Sequence, residues 1–535
     1  MTKFSKIFLL LVLLSGSCFS QDFYLPIANS FNLRWAPYIN SVNSTVHTGI
    51  KPYRSAELQS FCNIDSLIHL PVNMKGITQT RAGRKIFNEA VVKVNGEDFN
   101  FYLNPVLDIS LTRENTYKRN LLTFSRGIQL RGNIGERFSF FTQFNENQNE
   151  YPAYVDTAIR YSNVVPGLTR PKGIYGKRDF AIATGTISYS LKKYFNFQFG
   201  HDKNFIGDGY RSMLLSDNSP NYPFLKITTT IWKVKYMNLF AVFQDLKVQP
   251  PSNYNPEDFS FRKKYGSFHF IDFNIGKRLS IGIIEAVIWQ HDSIRAKGFD
   301  INYINPFIFF RPVEFSMGSP DNAMMGVNAK FKLSSHHILY GQFLLDDIKI
   351  DFLRDSSGYY GNKFAYQLGY KTFAPFGFKN LSLLTEINGA TPYTYQHRSS
   401  ITNYAHYNQA LAHPLGANFI EWVAMVDYHF GRCYFRLENI MAKTGQDTGT
   451  INFGGDIFKS YYTPFKFFGN KTLQGNLTKI NNLGMTFSYF INPGYGLNIF
   501  VNMKYRKFEN NKQSANDMFI SFGIKTELYN SYFDF

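Results

Sequence analysis

The sequence predicts an all-β protein. It reads as a transmembrane antiparallel β-barrel of the outer-membrane kind, with about 18 strands behind an N-terminal periplasmic or plug segment. Three observations carry this. The 535 residues include 35 Tyr and 55 Phe, yet mean hydropathy is only −0.24, so large apolar rings are abundant without an array of apolar helices. Apolar and polar residues alternate with period 2 from about residue 99 onward. Tight connections also alternate with long ones, as short periplasmic turns and long extracellular loops do.

The chain opens with Lys3 and Lys6, then an unbroken apolar run from Ile7 to Leu14, then small residues up to Ser20. A basic start, a short apolar core and a small-residue end describe a secretory signal peptide over residues 1–20. The run is too short to span a bilayer. Lipidation at Cys18 is the competing reading, and Leu14-Ser15-Gly16-Ser17 fits it poorly. Export together with the barrel pattern leads to the expectation of the outer membrane of a Gram-negative bacterium.

Residues 21–96 hold Trp35, Pro37, Pro52 and Pro71 and show little periodicity. This segment reads as a periplasmic piece that plugs the lumen, with a separate small domain as the alternative. Asn95-Gly96 reads as a tight turn into the first strand. Cys62 lies here, and Cys433 follows a periplasmic turn. A disulfide between them is geometrically allowed, and two unpaired thiols are the alternative.

Residues 97–535 form the barrel. Strands are expected near 99–112, 121–131, 136–145, 179–191, 194–200, 223–235, 237–248, 259–274, 279–289, 323–333, 336–346, 362–372, 377–388, 418–430, 432–442, 482–491, 494–506 and 517–528. Tyr495, Leu497, Ile499, Val501, Met503 and Tyr505 alternate with Gly496, Asn498, Asn502, Lys504 and Arg506. One face suits lipid and the other a polar lumen. The segment 259–274 changes phase partway. Tight turns fall at Gly132–Gly135, Lys192-Lys193, Gly276-Lys277, Ser334-Ser335, Gly431 and Asn492-Pro493-Gly494. Long connections fall near 146–178, 201–222, 290–322, 389–417 and 443–481. The terminal Tyr532-Phe533-Asp534-Phe535 ends in the aromatic that barrel-assembly signals favour.

No catalytic motif is present: no nucleophile elbow, no metalloprotease helix, no phosphate loop. No cofactor is implied. His336 and His337 are adjacent, so on a strand they face opposite sides. The formal charge of +18 suits acidic polysaccharide and lipid phosphate equally. Export argues against nucleic acid.

The most unusual stretch is the loop from Gly200 to Asn218. Its His201, Asp202, Lys203, Asp208, Tyr210, Arg211, Asp217 and Asn218 combine sugar-hydroxyl partners, a carboxylate grip and a stacking ring. They are the first candidates for ligand contact. Glu146, Asn147, Gln148 and Glu150 at the neighbouring strand end are the second. The alternative is a loop folded into the lumen and held by its own ion pairs.

This loop, continuing through Ser219 to Phe224, resembles the glycine-containing loop of the Wzi capsule-assembly family. It is more similar still to RemB-type gliding-motility relatives of Bacteroidetes. Arg126-Gly127, Phe141–Val155 and Arg84–Glu89 resemble the same group. The resemblance implies an outer-membrane barrel of about 18 strands with a plugging N-terminal region. It also implies surface lectins that anchor capsular polysaccharide, or proteins that support gliding. Two departures stand out: Phe205 and Ile206 occupy positions where Wzi proteins usually have Trp, and 22–95 lacks the periodicity of a helical plug. The expected job is non-enzymatic: binding or organising an acidic surface polysaccharide, or supporting gliding. The alternatives are an accessory barrel docked to other outer-membrane gliding or type IX secretion proteins, and a passive porin.

Overall fold

The computed structural model describes residues 22–68, 80–173, 176–246, 261–290, 298–306, 310, 312, 316, 321–354, 357–527 and 529–535. The signal peptide expected at residues 1–20, and with it Cys18, lies outside the described residues, as does Pro71.

Eighteen antiparallel strands close on themselves. They are β1 (Phe99–Glu114), β2 (Arg119–Ile134), β3 (Phe138–Asn149), β4 (Arg178–Leu191), β5 (Phe195–Asp202) and β6 (Tyr222–Ile231). Then come β7 (Val234–Asp245), β8 (Arg262–Ile275), β9 (Leu279–Gln290), β10 (Asn322–Lys332), β11 (His337–Asp347) and β12 (Lys363–Phe373). The wall ends with β13 (Leu381–Ala390), β14 (Phe419–Phe430), β15 (Cys433–Gln446), β16 (Asn476–Asn492), β17 (Leu497–Glu509) and β18 (Ser514–Thr526). Each strand pairs with its sequence neighbour, and β18 closes the ring on β1 through Phe522↔Leu111. A short strand, Val92–Asn95, pairs with the start of β1.

The polarity is inverted relative to a soluble β-protein. Phe199, Leu368 and Phe487 are outward and exposed, while Gln198, Asn388 and Asn482 face inward and are buried. Lipid covers the first set and the plugged lumen satisfies the second. No helix among the described residues is long and apolar enough to cross a membrane.

A barrel of this girth would leave an aqueous channel if nothing filled it. Three parts of the chain fill this one. Residues 22–68 occupy the end where the short turns lie. They form short helices at Asn29–Asn32, Ala36–Ile39, Ser55–Leu58 and Ile64–Ile68 around Trp35, Phe31 and Leu58. Helices of four or five residues are too short to show a 3.6-residue period, which is why the sequence shows none. Wall lysines grip this segment. Lys235 Nζ lies 2.7 Å from Glu57, Lys332 Nζ donates to the carbonyls of Ser41 (2.9 Å) and Ser44 (2.7 Å), and Lys330 donates to Thr48. His47 Nδ1 lies 2.8 Å from Asp272.

The second filler is the β5–β6 loop, which packs with the β13–β14 loop in an apolar core of Met213, Leu214, Leu215, Tyr395, Tyr404 and Leu411. The third is the chain's own end. After β18 the tail enters the lumen, where Phe533 packs on Tyr151 at 5.9 Å and Tyr154 donates to the Phe533 carbonyl at 2.6 Å. The terminal aromatics are therefore lumen contacts and not the end of the last strand.

Two local readings change. The strand expected to run through 223–235 turns at Trp232-Lys233, where Trp232 holds a φ of +56°. The hairpin before β3 begins at Gly135, with Gly132, Asn133 and Ile134 inside β2. Cys62 and Cys433 are free thiols and not a disulfide. Burial in the plug pushes the Cys62 thiol up to about 11.

Candidate functional site

The loop singled out in the sequence leaves the wall at Asp202 and turns inward. Its Phe205–Ile206 pairs with Ile50–Lys51 of the N-terminal segment. Asp208 accepts hydrogen bonds from Thr48 and from Asn328 Nδ2 (3.0 Å), beside Lys330 Nζ at 3.7 Å. Burial alone would raise this carboxyl. Lys330 and Lys371, with the two hydrogen bonds, outweigh it and hold Asp208 well below the usual carboxylate range.

The rest of the loop is equally occupied. Arg211 bridges Glu421 (2.9 Å) and Asp534 of the tail (2.8 Å). The backbone N–H groups of Tyr210 and Arg211 donate to Glu386 at 2.9 and 3.1 Å. Asp217 accepts from Tyr532 and Asn530, both at 2.8 Å. Lys203 donates to the carbonyls of Gly167 (2.7 Å) and Asp217 (2.9 Å), and Asn218 to that of Ala410 (3.0 Å). The Tyr210 ring packs edge-on against Tyr532 at 5.6 Å.

Asp202 accepts from the Lys203 N–H at 2.8 Å. His201 stands apart, exposed on the outer wall with Nδ1 3.0 Å from the Ala183 carbonyl. Glu146 is also on the outer face, paired with Arg126 at 3.0 Å, and Gln148 is exposed beside it. Asn147 points inward and donates to the Phe180 carbonyl at 3.2 Å, while Glu150 accepts from the Leu122 N–H at 2.9 Å. The structure thus brings Lys203, Asp208, Tyr210, Arg211, Asp217 and Asn218 together as a lock inside the lumen. It does not bring the second group to them.

A different arrangement faces outward. The 447–475 connection after β15 crosses the long-loop end of the barrel and joins the 348–362 connection. Tyr360 N–H donates to the Phe467 carbonyl (3.0 Å), Gly469 to Ser357 (2.7 Å) and Asn470 to Gly358 (2.9 Å). Gly358 has φ +59°, and a Cβ there would sit 2.6 Å from the Asn470 carbonyl, so the crossing requires glycine. Tyr393 anchors it from below, donating to the Asn452 carbonyl and accepting from the Phe465 N–H, both at 3.1 Å.

The crossing gathers a continuous set of rings. Tyr360 meets Phe467 at 5.3 Å, Tyr359 meets Phe468 at 5.5 Å, Phe352 meets Phe468 at 5.3 Å, and Tyr461 meets Tyr462 at 5.2 Å. Buried rings need no further partner. These are open: Tyr462 and Phe467 are each 60% exposed, Phe465 51% and Phe468 50%. Lys349 Nζ lies 5.4 Å from the Tyr359 ring and Lys466 Nζ 5.8 Å from that of Phe465. An exposed apolar patch with a polar rim marks an interaction surface. Ring faces stack on apolar faces of a ligand, and ammonium groups attract its anions.

The sequence reading passed over this platform. The signal was available in Tyr461-Tyr462-Thr463-Pro464-Phe465-Lys466-Phe467-Phe468, where aromatics crowd a connection that has no lipid face. Among the described residues no group of His, Cys, Asp or Glu is arranged to hold a metal.

Fold and site together define an outer-membrane β-barrel whose lumen is filled and whose long loops build a surface. Residues 111–519 match the family model described as capsule assembly protein Wzi, and the chain belongs to that family. Among solved structures it is similar to Wzi of Escherichia coli, described as an outer membrane protein involved in group 1 capsule assembly and as a carbohydrate-binding β-barrel. Identity is 13% and TM-score 0.56, over 95% of this chain and 100% of that one. OccAB1 of Acinetobacter baumannii is also similar, at 8% identity and TM-score 0.44 over 81% of this chain and 97% of that one. OprD of Pseudomonas aeruginosa follows at 10% and 0.40, over 79% and 94%. No curated protein sequence matches.

Proposed function

We propose that this protein holds an acidic surface polysaccharide on its extracellular aromatic platform and so helps organise a capsule. The observation that carries the reading is the exposed ring set of Tyr462, Phe465, Phe467 and Phe468 with Lys466 and Lys349 at its edge. Membership of the Wzi family, and the carbohydrate binding stated for the E. coli member, support it. The filled lumen supports a binding surface over a pore. Stacking is tolerant of sugar identity, while the lysines favour a polymer that carries carboxylates or phosphates.

The test is binding of fluorescent hyaluronan oligosaccharides, as a defined uronic-acid polymer, to the purified barrel in detergent. Neutral dextran of the same length is the control. The expected result is saturable binding of the acidic polymer that weakens as salt rises. Equal binding of dextran, or none of either, contradicts the proposal.

A further inference from the structure

The wall has a lateral notch at the long-loop end. β5 and β6 are short neighbouring strands, of 8 and 10 residues. β4 pairs with β5 only as far as Gly185↔His201, and β7 pairs with β6 only as far as Ala241↔Phe224. Above those pairs, residues 180–184 of β4 and 242–245 of β7 flank a break of two strand positions, and Lys172 pairs with Asp179 at its upper end. At ~4.8 Å per strand the gap is roughly 14 Å wide. Loop segments occupy part of the break and close its inner side. Asn221 Nδ2 donates to Thr184 Oγ1 at 2.8 Å, His406 Nδ1 accepts from the Gln244 N–H at 3.0 Å, and Tyr407 N–H donates to the Gln244 carbonyl at 2.9 Å.

Among the described residues the outer side holds a cavity of about 460 Å³ bounded by Thr169, His201, Asn221, Lys263 and Tyr407. It runs on, through His201 and Pro223, into a second depression of about 470 Å³ on the lipid-facing wall. That depression is apolar: Phe140, Ile187 and Phe199 flank Gly185. A hollow of mixed polar and apolar lining thus sits above an apolar trough. The hollow's rim is basic. Lys263 is exposed in it, and Arg170 stacks on Phe261 at 5.5 Å, itself 6.2 Å from Tyr407. His201 adds a ring nitrogen not used in its bond to Ala183.

We infer that this notch seats a phosphorylated outer-leaflet lipid, with an acyl chain in the Gly185 trough and the phosphate between Lys263, Arg170 and His201. The surrounding solvent of this wall is the membrane, so the occupant of an outward apolar trough is lipid. Paired basic side chains beside a phosphate form charge-assisted contacts.

The test is native mass spectrometry of the purified full-length barrel titrated with bisphosphorylated lipid A. Three proteins are compared: wild type, the double variant Lys263→Ala/Arg170→Ala, and Gly185→Leu. A Cβ at Gly185 meets nothing nearer than 3.9 Å, so a leucine there fills the trough without disturbing the strand. Wild type is expected to retain the lipid, and each variant to bind it about tenfold more weakly. Dephosphorylated lipid A should bind wild type no better than it binds the double variant. Millimolar inorganic phosphate should fail to displace the intact lipid. Equal retention by all three proteins, equal binding of the dephosphorylated lipid, or full displacement by phosphate overturns the inference. The platform variant Tyr462→Ala keeps the lipid, so this result is independent of polysaccharide binding.

Discussion

Arg211 is the residue on which the luminal lock turns. Its guanidinium is 2% exposed, with Glu421 at 2.9 Å (1% exposed) and Asp534 at 2.8 Å (9% exposed). Arg211→Ala leaves two carboxylates inside the barrel without their cation. Removing one partner of a buried ion pair costs roughly 3–5 kcal/mol, most of it the burial of the charge left behind. Part of the scaffold survives the change. His413 still sits 2.7 Å from Glu421, and Glu386 still accepts the backbone N–H groups of residues 210 and 211. The expected loss therefore lies near 3 kcal/mol, the low end of that range. Adding Glu421→Gln to Arg211→Ala should restore about 1–2 kcal/mol, because a neutral amide is cheaper to bury than an unpaired carboxylate. The assay is denaturant unfolding of the barrel in detergent, followed by intrinsic fluorescence and by band shift on unheated gels. An unfolding midpoint for Arg211→Ala equal to wild type would refute the reasoning. So would a double variant less stable than the single.

Other outcomes follow from the same contacts. Deleting residues 529–535 removes Asn530, Tyr532 and Asp534 from Asp217 and Arg211, and should convert a closed barrel into one with measurable conductance in planar bilayers. Asp208 titrates below its ordinary value in the folded protein, so its contribution is complete above about pH 4 and is lost as pH falls through the folded value. Asp208→Asn should lower stability by about 2 kcal/mol at pH 7 and flatten the acid limb of the stability profile, read from unfolding midpoints from pH 7 down to the most acid pH at which the barrel still refolds, with the difference shrinking only below about pH 4. With no disulfide present, denatured protein lacking residues 1–20, and so Cys18, should take two alkyl groups, at Cys62 and Cys433, without reductant in intact-mass measurement. Native Cys62 should react slowly at pH 8, since its thiol is raised to about 11.

The wall was legible because period 2 is a strong signal wherever one face meets lipid. All 18 expected strands have a counterpart, and β9 runs 279–290 against an expected 279–289. The phase change in 259–274 has a physical cause. On β8 the outward Ser267 and His269 are covered by Tyr303 and Phe310 of the connection that follows β9. Ser267 donates to the Tyr303 carbonyl at 2.8 Å and His269 packs on Phe310 at 4.0 Å. With both faces buried, alternation fails. Contacts inside the lumen were less legible. The loop's mixed charges suggest an open ligand site, yet their partners, Glu421, Glu386, Asp534 and Lys330, lie from 120 to more than 300 residues away. No local pattern announces such pairings. The tail was misleading for a related reason: an aromatic terminus looks the same whether it ends a strand or enters a lumen. Part of the positive charge also gains an address, in the buried lysines that clamp the N-terminal segment.

The most direct test compares the platform with the lumen in one binding experiment. Hyaluronan-oligosaccharide binding is measured for wild type, for Tyr462→Ala/Phe467→Ala and for Tyr210→Ala. Stacking positions of this kind are worth about 1–3 kcal/mol each, by analogy with rings stacked on bases. The platform variant should therefore bind at least tenfold more weakly, while Tyr210→Ala retains wild-type affinity. Unchanged binding by Tyr462→Ala/Phe467→Ala, with loss in Tyr210→Ala, would return the site to the lumen and contradict the account.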